Sequence, residues 1–259
     1  MDRSQIVEIE KLSWSDVRAL LDDGWTTAVF SVGAIEQHGP HLPTMVDSLL
    51  GGDIAVRVAR ELGKTLVAPT IRPGNSPHHM AFAGTITLRL STLTGLIVDY
   101  CTSLAKHGFR ELVVISSHGG NNSVVKSGSQ EAQAILGKDV DVVAITNLLG
   151  YLDASFDQSD EGFHATKIET SCVMRLVPDL VHMERAKNWT NPIDPAIKDV
   201  GALLDHDGVK HFAPDGTMGK PESAQPDLGE RALQSMAVNV ARQVELVRRH
   251  RRSVVNSHP

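Results

Sequence analysis

The stretch Ala28-Val29-Phe30-Ser31-Val32, followed by Glu36-Gln37-His38-Gly39-Pro40-His41-Leu42-Pro43, decides the fold and the site of this chain. The first part is a mostly apolar run, which is typical of a buried strand. The second part is a polar loop, and Asp47 lies four residues beyond it. The sequence therefore predicts a buried strand that ends at a group of carboxylates and imidazoles.

The side chains of this loop can converge on one point. In an extended segment, side chains at positions i and i+2 point the same way, so Glu36 and His38 can face one side. A turn at Gly39-Pro40 can bring Asp47 to them. Mixed nitrogen and oxygen ligands suit Zn, Mn or Fe better than Mg or Ca. We therefore interpret these groups as metal ligands; the alternative is a polar loop whose groups only satisfy one another.

Composition and charge argue against several classes of protein. The chain has 259 residues, of which 41% are apolar, and these suffice for one large domain or two small ones. Its formal charge of −6 argues against an electrostatic footprint for nucleic acid. No apolar run approaches the length that spans a bilayer, and we see no signal-peptide pattern. Cys101 and Cys172 lie in apolar contexts typical of a reducing compartment. We expect a cytoplasmic protein without membrane or nucleic-acid partners.

Helix and strand patterns alternate along the chain. Strands are predicted at residues 26–32, 65–68, 111–116 and 140–145. Helices are predicted from Ser13 to Gly24 and at residues 48–62, 92–107, 122–136, 165–176 and 228–250. Apolar strands separated by helices indicate a mainly parallel sheet covered on both faces. Residues 188–227, rich in Pro, Gly and Asp, are interpreted as an excursion with a hairpin or an oligomer contact.

The polar groups follow the predicted strands, where such sheets bind their ligands. Glu36 and His38 follow the first strand, His118 follows the strand at 111–116, and Asn147 follows the strand at 140–145. His118 precedes Gly119-Gly120-Asn121, and glycines there let backbone approach a ligand closely. We favour His118 as a metal ligand with Asn121 in the surrounding shell, against a helix-capping loop.

A second group of candidates lies in two further loops. His164 precedes a predicted helix, so it could move a proton or orient substrate, or else belong to a capped helix start. Glu169 could be a further metal ligand or a partner of the ligands. The paired His78 and His79 are interpreted as the wall of a substrate pocket. His41, between two prolines, ranks below His38 as a ligand.

Taken together, these blocks resemble the creatininase family of metal-dependent amidohydrolases. The matching segments are residues 33–43 with Asp47, Phe82-Ala83-Gly84-Thr85, His118-Gly119-Gly120-Asn121, and His164 with Glu169-Thr170-Ser171. The resemblance implies a three-layer α/β/α sandwich with a mainly parallel sheet, formed as a single domain over residues 1–259. It also implies two divalent transition-metal ions (Zn, Mn or Fe), a small-molecule substrate and a homo-oligomer, often a hexamer.

By position, the resemblance assigns Glu36, Asp47 and His118 to one ion, and His38 with the bridging Asp47 to the second. It implies that a metal-activated water cleaves an amide or cyclic amide, with His164 as the catalytic residue that acts on the substrate. His78, His79 and Asn121 are the candidate substrate-binding residues.

Two departures from creatininase itself bear on the substrate. In creatininase a glutamate ligand follows two residues after the metal-binding histidine, whereas this chain has Gly120, so Glu169 is the candidate replacement. Creatininase closes its pocket with tryptophans, and residues 151–163 contain none. Creatinine is therefore not the expected substrate. Relatives with the His-Gly-Gly-Asn pattern include a formamide deformylase, a peptidase that matures a redox cofactor and a hydrolase of an oxidised inositol, which cleaves a C–C bond.

Two rival classes remain to be compared. A non-catalytic small-molecule-binding α/β domain would use the same sheet edge without metal, and metal content separates the two readings. A serine hydrolase would need a Gly-x-Ser-x-Gly elbow. The nearest candidate, Ser127-Gly128-Ser129, falls inside a predicted helix, which disfavours that class.

Overall fold

A computed structural model describes residues 6–156, 162–190, 193–194, 196–197 and 200–257. Parts of three predictions lie outside the described residues: the loop at 151–163, the excursion at 188–227 and the two ends of the proposed single domain. Among the described residues, no helix is both long enough and apolar enough to cross a membrane.

The central sheet has four parallel strands. They are β1 (Thr27–Val32), β2 (Thr65–Val67), β3 (Glu111–Ser116) and β4 (Asp141–Ile145), arranged in the order β2-β1-β3-β4. Their buried Val, Ile, Leu and Ala side chains form continuous apolar runs, as expected for strands covered on both faces. The four strands predicted from the sequence are confirmed, with ends that shift by at most one residue.

Helices cover both faces of this sheet. The first five are α1 (Trp14–Asp22), α2 (Val46–Leu62), α3 (Leu90–His107), α4 (Asn122–Leu136) and α5 (Lys167–Leu176), and the last three are α6 (Val200–Asp207), α7 (Val209–Phe212) and α8 (Pro226–Ser257). Right-handed crossovers place α2 on one face, and α3 and α4 on the other. In agreement, α2 packs with α5 and α8, while α3 packs with α4. The predicted three-layer α/β/α sandwich is confirmed.

The start of α2 decides where Asp47 lies. The helix begins at Val46, two residues before the predicted start, so Asp47 belongs to its first turn and not to the loop. Ser48, where the sequence pattern starts the helix, donates its hydroxyl to the carbonyl oxygens of Ala34 (2.8 Å) and Arg72 (2.9 Å). These hydrogen bonds hold the helix start against the loop that follows β1.

The excursion at 188–227 folds back onto the body of the protein. Its strand, β6 (Met218–Gly219), pairs antiparallel with β5 (Gly162–His164), which lies outside the excursion, so among the described residues this strand forms no hairpin within it. Val209, Ala213 and Met218 form a small second apolar cluster there, against which Phe82 and Trp189 pack. This pairing places His164 at the end of a strand and fixes it beside the β1 loop.

Candidate metal centre

The fold gathers imidazoles and carboxylates from five places in the chain. Glu36 and His38 come from the loop after β1, Asp47 from α2, His118 from the end of β3, and Glu169 from the first turn of α5. His164 joins them from β5. In the part of the chain that the structure describes, three groups lie close enough together to hold a metal ion: Glu36, Asp47 and His118; His38, Asp47 and Glu169; Glu36, His38 and His164.

Asp47 belongs to two of these groups. In the first, His118 Nδ1 lies 3.6 Å from Asp47 Oδ2, and His118 Nε2 lies 3.3 Å from Glu36 Oε2. In the second, His38 Nε2 lies 3.6 Å from Asp47 Oδ1 and 4.0 Å from Glu169 Oε1. Each oxygen of the Asp47 carboxylate therefore faces a different histidine, as a carboxylate that bridges two ions requires.

Backbone carbonyls select which nitrogen of each ligand histidine faces the centre. Glu36 O lies 3.3 Å from His38 Nδ1, and Asn75 O lies 3.1 Å from His118 Nε2. A carbonyl oxygen only accepts, so these two nitrogens carry the protons. When these rings are neutral, as binding of a metal ion requires, His38 Nε2 and His118 Nδ1 keep their lone pairs toward Asp47. Such hydrogen bonds to the far ring nitrogen are usual around metal-bound histidine.

The acceptor atoms at the centre are buried and lack hydrogen-bond partners. Glu36 and His38 are fully buried and Asp47 is 4% exposed. Among the described residues, neither oxygen of Glu36 has a hydrogen bond, and the same holds for His38 Nε2 and Asp47 Oδ2. Charged groups without partners are very costly in a protein interior unless a cation or a proton satisfies them. The polar-loop alternative requires mutually satisfied groups, so these orphaned atoms favour a metal site.

The shifted pKa values of these groups also indicate that the centre favours added positive charge. Burial raises the pKa of Glu36 to about 7, although His118 opposes this shift. Burial alone would lower the pKa of His38, but Asp47, and then Glu169 and Glu36, outweigh it and raise this pKa to about 10. Burial also raises the pKa of Glu169. Two buried carboxylates and one imidazole thus hold protons strongly, and divalent cations would meet the same need.

His164 faces Glu36 across the centre. Its Nδ1 lies 3.7 Å from Glu36 Oε1, and its ring centroid is 4.1 Å from that of His38. Burial, and then the neighbouring His38 and His79, hold the pKa of His164 well below its usual range, so the ring is neutral. A neutral ring in this place can accept or pass a proton, or bind a metal ion. Its action on the substrate stays a prediction.

Glu169 combines a local role with its place in the centre. It completes a capping box with Thr166, whose backbone N–H donates to Glu169 Oε2 at 2.9 Å. The other oxygen, Oε1, faces His38. The capping role and the ligand role are therefore compatible within one side chain.

The other candidates occupy different surroundings. His79 is buried, with its Nε2 3.3 Å from Glu36 Oε1, whereas His78 Nδ1 lies 3.4 Å from Asp205 Oδ1 on α6. The amide of Asn121 donates to the carbonyl oxygens of Val32 and Gly33 and accepts from the N–H of Asn75. Both of its N–H donors are used by the protein, so these bonds favour a structural role over substrate binding.

Two residues singled out in the sequence lie apart from the three groups. Asn147, expected at the same sheet edge, is exposed, and its backbone N–H donates to Asn122 Oδ1. His41 is buried, and its Nε2 lies 3.1 Å from Thr170 Oγ1. Sequence reasoning also gave no role to Gln37, which contacts both His79 and His164. The sequence signal that could have pointed to Gln37 is its position between the two proposed ligands Glu36 and His38.

Comparisons with known proteins agree with this geometry. The creatininase family model, described as creatinine amidohydrolase, matches residues 10–244. Creatinine amidohydrolase of Pseudomonas putida is 31% identical over 255 residues, covering 92% of this chain and 96% of that protein. The mycofactocin precursor peptide peptidase of Mycobacterium ulcerans is 30% identical over 224 residues, covering 83% of each. A solved structure described as "Creatininase Mn" superposes with a TM-score of 0.79 at 28% identity, covering 92% of this chain and 97% of that one.

The α/β/α sandwich with buried metal-ligand groups at its strand ends is that of a metal-dependent hydrolase. The chain belongs to the creatininase family.

Gly120 shows how closely the surroundings of His118 are packed. A Cβ atom at this position would lie 2.5 Å from His118 Nε2, 2.6 Å from the backbone oxygen of Asn75 and 3.1 Å from His78 Cε1. A side chain there, including the glutamate that the resemblance to creatininase implies, would require the backbone at Asn75 to move. The close packing around position 120 therefore requires glycine there, in contrast to the glutamate that the resemblance implies.

We predict that Gly120→Ala displaces His118 or the Asn75 backbone and lowers metal affinity by about 10–100-fold, the range for disturbing the partners of a ligand. Titration with zinc and a competing chelator measures the change. Gly119→Ala is the matched control, because a Cβ at Gly119 meets nothing within 4 Å. Equal zinc affinity in the two variants would contradict this account of the site.

Proposed function

We propose that this protein hydrolyses an amide or cyclic amide bond in a small molecule, using two divalent transition-metal ions held side by side. The observation that carries the proposal is the placement of Asp47 between two ligand groups whose acceptor atoms are buried without partners. Zn, Mn and Fe suit this mixture of imidazole and carboxylate ligands. A cytoplasmic homo-oligomer without nucleic-acid or membrane partners stays a prediction.

In this proposal, Glu36, Asp47 and His118 hold the first ion, and His38, Asp47 and Glu169 hold the second. Each ion thus receives a small number of protein ligands, which leaves room for water and substrate, as catalytic sites require. Glu169 takes the place of the glutamate missing at Gly120. The support is that Glu169 Oε1 lies 4.0 Å from His38 Nε2.

Ions of this kind supply Lewis acidity, which makes water acidic near neutral pH and polarises a carbonyl group. The chain itself would position the substrate and move the proton. His164 is neutral, with its Nδ1 toward Glu36, so it can take a proton from the attacking water and return it to the leaving nitrogen. The burial of the surrounding groups keeps bulk water from this transfer.

We infer that the substrate is not creatinine. The absence of tryptophan from the sequence at 151–163 and the crowded space at Gly120 both differ from what the resemblance to creatininase implies. A relative of nearly equal identity is a peptidase by name, so similarity at this level does not select creatinine.

Metal content tests the ligand assignment. Protein purified without chelator is expected to carry about two transition-metal ions per chain, as two-metal sites do. His118→Ala should lose tightly held metal and keep its fold, because the residue lies at the sheet edge. Glu169→Gln should lose the second ion and keep the first. Its fold should be retained, since glutamine preserves the capping box.

Elemental analysis and circular dichroism measure metal and fold in these variants. His206→Ala is the control, because its side chain is 86% exposed and belongs to none of the ligand groups. If His118→Ala retained the metal content of the unmodified protein, the assignment would be wrong. If the purified protein contained no bound metal, the result would support the alternative of a non-catalytic small-molecule-binding domain.

Creatinine turnover tests the substrate inference. The metal-loaded protein is expected to hydrolyse creatinine slowly or not at all, because its pocket lacks the tryptophans implied by the resemblance. A colorimetric assay, run beside a creatininase as positive control, measures the rate. Efficient hydrolysis would overturn the inference.

His164→Ala tests the role of His164 once a screen of small amides, cyclic amides and oxidised cyclitols has given a substrate. The variant should keep its metal and lose rate by about 10²–10⁴-fold, the usual contribution of one positioned acid or base. Loss of metal together with rate would make His164 a ligand. Full activity would leave it only a structural residue.

A further inference from the structure

The side-chain amide of Gln37 has one fixed orientation. It is buried, and its Oε1 accepts the backbone N–H of Gly39 at 2.8 Å. An amide oxygen accepts and an amide nitrogen donates, so this bond fixes which end is which. The nitrogen then faces Gly216 O at 3.2 Å and His79 Nδ1 at 2.8 Å.

The orientation of Gln37 determines the tautomer of His79. Because Gln37 Nε2 donates, His79 Nδ1 must accept, and the proton of a neutral ring resides on Nε2. A ring whose Nδ1 accepts a hydrogen bond carries no proton there and is therefore neutral. The protonated Nε2 lies 3.3 Å from Glu36 Oε1. His79 therefore presents an N–H group to a proposed metal ligand.

The backbone of Gln37 determines the tautomer of His164. Gln37 O lies 2.6 Å from His164 Nε2, and a carbonyl oxygen can only accept, so Nε2 carries the proton. His164 Nδ1 then keeps its lone pair toward Glu36. The amide nitrogen of Gln37 also lies 3.1 Å from His164 Nε2, but both are donors in this arrangement, so we treat that distance as a contact.

The excursion holds Gln37 in this position. A Cβ atom at Gly216 would lie 1.9 Å from Gln37 Oε1, so only glycine lets the backbone approach this closely. The φ of Gly216 is +89°, a positive value that favours glycine. The excursion thus closes over Gln37 and accepts one of its two amide protons.

We propose that Gln37 is a positioning residue that sets the tautomers of His79 and His164, so that the Nε2–H of His79 and the Nδ1 lone pair of His164 both face Oε1 of Glu36. The kinetic consequence of this arrangement rests on the proposed hydrolase function, but the tautomers themselves do not. Gln37 acts through the two histidines and needs no contact with substrate. If Gln37 only filled space between the β1 loop and the excursion, replacing its amide would leave the tautomers of the two histidines unchanged.

The test is the ¹⁵N NMR spectrum of the histidine side chains in zinc-loaded, ¹⁵N-histidine-labelled protein. Signals of His79 and His164 are assigned by their loss in His79→Asn and His164→Asn. The unmodified protein should show protonated Nε2 on both rings. A proton on Nδ1 of either ring would overturn the proposal without any Gln37 variant.

Gln37→Glu then tests the cause, because glutamate keeps the volume and removes both amide donors. The proton of His79 should move to Nδ1, facing the new carboxylate, while His164 keeps its bond to the backbone oxygen of residue 37. Gln130→Glu is the matched control, since it adds the same charge at an exposed position. An unchanged His79 tautomer in Gln37→Glu would refute the proposal and leave the proposed function untouched.

Discussion

The structure depends on the burial of two carboxylates, those of Glu36 and Asp47, at the centre of the site. Glu36 and Asp47 lie in the interior beside His38, and several of their ligand atoms make no hydrogen bond. The cost of such burial exceeds what a fold of ordinary stability can absorb. Positive charge must therefore complete the site, as protons or as metal ions. Asp47 is central because its two oxygens face two different histidines.

Neutral hydrogen bonds hold the elements around these groups together. Asn121 ties the end of β1 to the loop at Asn75, and Ser48 ties the start of α2 to the same region. Backbone carbonyls orient His38, His118 and His164, so that each ring offers one defined nitrogen. These contacts hold the candidate ligands in place, including Glu36 and His38 on the loop after β1.

Much of this could be predicted from the sequence, for identifiable physical reasons. Apolar runs bounded by turn residues predicted the parallel sheet, and His118 after a strand followed from the rule for strand ends. The pairing of β5 with β6 was missed, because each strand is only two or three residues long and their contact spans a long loop. The place of Asp47 in α2 was missed because the helix lacks a side-chain cap at Met45. The role of Gln37 depends on donor directions that only coordinates provide.

The most direct test of the shared carboxylate is crystallographic. Crystals of the zinc-loaded protein, measured on both sides of the zinc absorption edge, would show the ions by their anomalous scattering. The account predicts two peaks about 3.5–4 Å apart, as in known two-metal sites, with one oxygen of Asp47 directed at each. A single peak, or two peaks that Asp47 does not join, would contradict it.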